Sequence, residues 1–243
     1  MQPQDLDYGT FFGEGVRAAT SDTGFDFLRP DRRGEGSFPL TPSQQAWLRG
    51  QGVGRPDKVV FPKQVHGAEI WVVDEKSALQ RGVFEADAVV TNRRDLPIAV
   101  RTADCLPVLI FSPQKMAVAA VHAGWKSTRQ RIARTTVATL HSLFGADPRG
   151  LKVVLGPCIR RDSYRVGEEF RDLFPEDVRE RNGGLCFDLA GANQRQLLAA
   201  GVLEENIYDC GLDTFTRPQL HSFRRDGEQA GRMINVIVMA AAS

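Results

Sequence analysis

A succession of short apolar runs rich in Val and Ile, set between residues 58 and 122, limits what this chain can fold into more than any other feature. Runs of this length, bounded by turn-forming breaks, read as strands. The pattern predicts strands over 58–62, 69–74, 86–91, 96–101, 106–111 and 116–121, with breaks at His66-Gly67, Arg93-Arg94-Asp95, Ala103-Asp104 and Ser112-Pro113-Gln114. PVLIF and MAVAAV carry no polar alternation. A strand without a polar face has to be covered on both sides, which predicts a layered α+β or α/β body with a buried sheet.

Beyond residue 122 the period changes. Over 127–144, Ile132, Val137, Leu140, Leu143 and Phe144 fall on one helical stripe, with Arg129, Arg131 and Arg134 facing outward and Gly145 as the stop. A strand is predicted over 151–155, a helix over 166–174 opened by Gly-Glu-Glu, and a helix N-capped by Asp188 that runs to Ala200 and closes at Gly201. The last strand covers 233–239. Residues 1–57 read mainly as loops, with breakers at 31–36 and 39–42 and a short helix opened by Thr41-Pro42-Ser43. That part is expected to be a lid-like segment of one 1–243 domain.

With 243 residues, 42% apolar and 25% charged, the chain can bury a large core without disulfide staples. A formal charge of +1 gives no general attraction to nucleic acid or anionic membrane, so neither is an expected partner. A phosphate-bearing substrate would need a local group of Arg or Lys. No apolar run approaches the roughly 18–20 residues that span a bilayer. The N-terminal MQPQDLDYGTFFGEG does not have the pattern of a secretory signal, and Cys105, Cys158, Cys186 and Cys210 form no CxxC pair. These features predict a cytoplasmic protein with reduced thiols, taken as a monomer.

Three segments place metal-type side chains at strand ends: Lys63-Gln64-Val65-His66-Gly67, Arg101-Thr102-Ala103-Asp104-Cys105, and Ala120-Val121-His122-Ala123-Gly124-Trp125. One thiol and two imidazoles suit zinc, and three protein ligands leave a fourth position open, the arrangement of a catalytic site. Gly67 and Gly124 remove side chains beside the two histidines. The same residues also permit a metal-free reading, with Cys105 as nucleophile, His122 as base, and Asp104 or Gln64 assisting. The spacing is long-range and leaves both readings open, along with ordinary buried packing of Cys and His.

KQVHG, ADAVVTN, LPIAVRTADCLPVLIF, AVAAVHAGW, LGPCI with YRVGEEF, and SFRRDG with GRM follow one another in this order. On these motifs the chain resembles the YfiH-type, laccase-domain proteins, also called multicopper polyphenol oxidoreductases, from about residue 59 to 240. The resemblance implies a compact two-subdomain α+β fold with mixed sheets flanked by helices, distantly related to a toxin deamidase. It implies zinc held by His66, Cys105 and His122. It also implies purine nucleoside chemistry: phosphorolysis of adenosine, inosine, guanosine and methylthioadenosine, and deamination of adenosine. A cytosolic hydrolase that edits peptidoglycan precursors with the same Cys/His site is the alternative.

Phosphorolysis calls for an anion site, for which Arg224 and Arg225 are the candidates, with Gln64 and Lys63 also assigned to substrate or phosphate. The bland reading of the arginine pair is a solvated charged turn. Asp104 is the candidate acid/base group or imidazole orienter, with Glu168 and Glu169 behind it. Copper oxidation is disfavoured by a count: multicopper sites use on the order of ten histidines, and this chain has His66, His122, His141 and His221. Three departures from the family bear on substrate choice. FFGEGVRAATSDTG stands where a TRxGG-type segment is usual, with Arg17 displaced from it. Lys126 follows HAGW where Arg is common, and 211–220 is irregular.

Overall fold

The computed structural model describes residues 6–27, 40–74, 84–181 and 183–241. The charged stretch 31–36 lies outside them. In chain order the first elements are α1 (Gly9–Phe12), β1 (Val16–Thr20), α2 (Pro42–Gly50), β2 (Ile70–Val72), β3 (Ala88–Thr91), β4 (Ile98–Thr102), β5 (Leu106–Ser112) and β6 (Ala117–Ala123). Then come α3 (Trp125–Arg129), α4 (Ile132–Phe144), β7 (Lys152–Leu155), β8 (Arg165–Val166), α5 (Phe170–Leu173) and β9 (Val178–Arg181). The last are β10 (Gly184–Phe187), α6 (Leu189–Ala199), β11 (Ile207–Asp209), α7 (Phe223–Asp226) and β12 (Met233–Met239).

The strands form a six-stranded mixed sheet in the order β11-β7-β5-β6-β3-β2, a three-stranded sheet β1-β12-β4, and a small sheet β8-β10-β9. Side-chain parity along β5 explains the layering. Leu106, Val108 and Ile110 pack with Ile132, Val137 and Leu140 of α4 and with Leu189 and Leu197 of α6. Leu109 and Phe111 point the other way, onto Val16 of β1, Val100 of β4 and Ile237 of β12. The two larger sheets therefore face each other, and helices cover the outer face of the six-stranded one. The far side of the three-stranded sheet is closed by Leu48 of α2 with Val53, Val59 and Phe61. Both faces of β5 and β6 are buried throughout, which accounts for their unbroken apolar sequence. Each Val, Leu or Ile removed from water there contributes roughly 1.5–3 kcal/mol.

Helix ends follow local chemistry. Thr41 and Gln44 form a reciprocal capping box at the start of α2, and Asp188 accepts the N–H of Gly191 at the start of α6. Gly145 ends α4 in the left-handed region at φ 69°.

Several expected elements differ. The helix expected over 127–144 is broken: Arg131 takes φ 63° and separates α3 from α4. The helix expected over 166–174 shrinks to α5, because Arg165 and Val166 pair with Cys186 and Leu185 in the small sheet. Residues 56–58 form a turn of 3-10 helix, and Val60 makes only an isolated bridge to Ile98. The described residues 6–20 of the N-terminal segment are built into the body instead of forming the expected lid-like segment. Strand β1 pairs with β12 over its whole length, and Tyr8 and Phe12 are core residues. No helix among the described residues is long and apolar enough to cross a membrane.

Candidate metal and active site

Strand register delivers two of the three key side chains to one place. His122 lies near the end of β6, and Cys105 directly precedes β5; Leu106 pairs with Ala123, which sets Cys105 across from Gly124. His66 comes from the connection before β2, at φ 59°. The possible ligand atoms of His66, Cys105 and His122 all lie within 4.8 Å of one another, the one such cluster among the described residues. The two imidazoles stand edge to face, with centroids 4.8 Å apart.

The fit to a metal ion rests on the donors and on the space around them. One thiolate and two imidazoles match zinc's preference for S and N ligands and leave one position open. A β-carbon at residue 124 would lie 3.1 Å from the Cys105 sulfur and 3.1 Å from His66 Cδ2, so glycine keeps this cradle clear. Gly67 differs: a β-carbon there would meet its nearest atoms at 3.6 Å, an ordinary contact.

The electrostatics favour an ionised thiol. Burial opposes charge on Cys105, but the charge and hydrogen bond of His122, reinforced by His66, outweigh it and bring the thiol down to about 6. Burial also opposes the His122 cation. The Cys105 thiolate and the Asp87 carboxylate overcome that and raise His122 to about 9.

Asp87 is the residue that sequence reasoning missed. It is fully buried, just before β3 and opposite His122, whose backbone N–H donates to its carbonyl. Its carboxylate accepts from His122 Nδ1 at 2.7 Å and from the backbone N–H groups of Val65, His66 and Gly67 at 3.2, 3.0 and 2.7 Å. The sequence carried one signal for it, a lone acid inside the apolar run Ala86-Asp87-Ala88-Val89-Val90.

Several expected residues spend their side chains on other partners. Asp104, at φ 85° and 8% exposed, gives its carboxylate to the Thr214 hydroxyl and the Arg224 backbone N–H, both at 2.6 Å. It orients no imidazole; Asp87 occupies that position. Gln64 uses its amide on the backbone N–H and C=O of Arg101, which splices its segment onto β4. Lys63 pairs with Glu85 at the surface. The Arg225 guanidinium donates to the carbonyls of Thr214, Phe215, Arg217 and Leu220 and to Asp226, so it has no donor left for an anion. Glu168 pairs with Arg171 on the surface. His141 bonds the carbonyl of Ala146 and His221 that of Phe25; neither joins the cluster.

Arg224 remains exposed. It lies over the Tyr164 ring at 5.2 Å and donates one bond to the Arg165 carbonyl. Burial, and then the charge on Cys105, push the Tyr164 phenol well above its ordinary value, so it stays neutral.

The family model described as multi-copper polyphenol oxidoreductase laccase matches residues 43–240. The chain belongs to that family. A purine nucleoside phosphorylase of Deinococcus radiodurans is 38% identical over 215 residues, covering 86% of this chain and 81% of the relative. An adenosine deaminase from an unknown prokaryotic organism is 35% identical over 194 residues, 72% of this chain and 73% of its own. Among solved structures, YlmD from Geobacillus stearothermophilus superposes with a TM-score of 0.79 at 25% identity, over 94% of this chain and 93% of that one. The expected architecture, mixed sheets flanked by helices, is the architecture of this family.

Proposed function

We propose that this protein is a zinc-dependent purine nucleoside enzyme that cleaves adenosine, inosine, guanosine and methylthioadenosine with phosphate and deaminates adenosine. The observation that carries the reading is the convergence of His66, Cys105 and His122 within reach of one ion, with a glycine holding the cradle open. The names of the relatives supply the substrate class.

His66, Cys105 and His122 would hold the zinc, which when bound supplies Lewis acidity at its open position. Asp87 accepts a hydrogen bond from the Nδ1–H of His122, which leaves Nε2 as that residue's ligand atom. Arg224 is the anion contact for phosphate: its guanidinium is held by the Tyr164 face and the Arg165 carbonyl, and donors remain for a substrate oxygen. The neutral Tyr164 phenol serves as a hydrogen-bond donor on the same side. Copper phenol oxidation is a poor match, since only two of the four histidines belong to the cluster.

The test uses purified protein of measured zinc content, supplied with adenosine and phosphate and followed for adenine, ribose 1-phosphate and inosine. No turnover in zinc-loaded protein, or turnover that survives Cys105→Ala, would reject the reading.

A further inference from the structure

Two histidines that are to share an ion need their ring positions fixed and their proton-free nitrogens facing it. His66 sits in a connection before β2 and His122 on a central strand, 56 positions later by their residue numbers. One side chain touches both. Each oxygen of Asp87 accepts two donors: Oδ1 takes the His66 backbone N–H at 3.0 Å and His122 Nδ1 at 2.7 Å. Oδ2 takes the N–H groups of Val65 at 3.2 Å and Gly67 at 2.7 Å. Three consecutive backbone N–H groups closing on one carboxylate hold His66 at φ 59°, a region a non-glycine residue rarely adopts.

We propose that Asp87 is the positioning residue that makes one metal site out of His66 and His122, fixing the backbone of the first and the tautomer of the second. This rests on the metal reading given above. The donor pattern explains why only a carboxylate serves. An asparagine of the same shape has one oxygen and one NH2 group, and the NH2 group faces two donors in either orientation. Turned toward Val65 and Gly67, it breaks the turn that holds His66. Turned toward His66 N–H and His122, it forces the imidazole to accept at Nδ1 and carry its proton on Nε2, which removes the lone pair the ion needs. Losses of roughly 10–100-fold in metal affinity are typical when such a supporting group is removed.

The experiment titrates zinc(II), and separately cobalt(II), into metal-stripped wild type and Asp87→Asn against a chromophoric chelator. Thermal melting of the metal-free proteins is run alongside. The expected result is one equivalent bound by wild type and affinity at least tenfold lower in Asp87→Asn. Equal affinity in the two proteins overturns the proposal. A second arm needs no variant and decides the matter if Asp87→Asn does not fold. In zinc-loaded wild type with 15N-labelled histidine, His122 is expected to carry its proton on Nδ1 and to bind through Nε2. Protonation at Nε2, or ligation through Nδ1, overturns the proposal. Wild type that binds neither ion removes the metal reading itself, and the proposal with it.

Discussion

The Asp104 carboxylate accepts the backbone N–H of Arg224 at 2.6 Å across 120 positions of sequence. Its other oxygen accepts the Thr214 hydroxyl, also at 2.6 Å, so the residue before the thiol is tied to the segment that carries the proposed phosphate contact. Asp104→Ala leaves both donors without this acceptor, a cost of about 3–6 kcal/mol for two bonds to a charged group. The expected outcome is a matching fall in urea stability, a KM for phosphate raised on the order of tenfold, and zinc content unchanged. Loss of zinc with normal phosphate KM would contradict this assignment.

The neighbouring arginines are expected to separate by phenotype. Arg225 holds four loop carbonyls, so Arg225→Ala should lower the stability of the fold by about 1–3 kcal/mol. Arg224 is exposed, and Arg224→Ala should raise the phosphate KM while the melting temperature stays near that of wild type. Thermal melts and phosphate-dependent kinetics on both variants check the contrast.

Gly124 adopts φ −79° and ψ 171°, which alanine accepts without backbone strain. The only cost of Gly124→Ala is therefore the methyl group, 3.1 Å from both the Cys105 sulfur and His66 Cδ2. Zinc affinity should drop while the metal-free fold is retained. Competition with a chelator and a melting curve read the two effects separately.

Thiol chemistry gives a pH-dependent test. With metal stripped, Cys105 ionises at about 6. Its alkylation should be near its plateau at pH 7 and fall about tenfold for each pH unit below that midpoint, as the thiolate is lost. Burial pushes the Cys210 thiol up to about 12 and that of Cys158 higher still, so both stay protonated and slow. Peptide mapping after brief alkylation should find Cys105 modified first, and added zinc should protect it. Equal labelling of Cys105 and Cys158 would contradict the site as described.

Much of the fold was legible because burial on both faces leaves a local trace. Strands β3 to β7 and β12 were readable as unbroken apolar runs, and α6 by Asp188 at its start. Strands β8, β9 and β11 were not, since they are short and largely exposed and show neither alternation nor an apolar run. The break at Arg131 also left no trace, because no glycine or proline marks it.

Within the site, the identity of the metal-type side chains and their places at strand ends were written in KQVHG, TADC and HAGW. What those segments could not state was which polar side chains face the chemistry. Arg224 and Arg225 are adjacent and alike in sequence, yet one is exposed and the other is consumed by loop carbonyls. Asp87 and Asp104 are both acids beside strands, yet only one meets an imidazole. The sequence alone determines residue type and local period, and so fixed the buried sheet and the possible ligands. Partner choice depends on strand register and on contacts between segments far apart in the chain, so only the tertiary structure decided which carboxylate bonds an imidazole and which arginine side chain stays exposed.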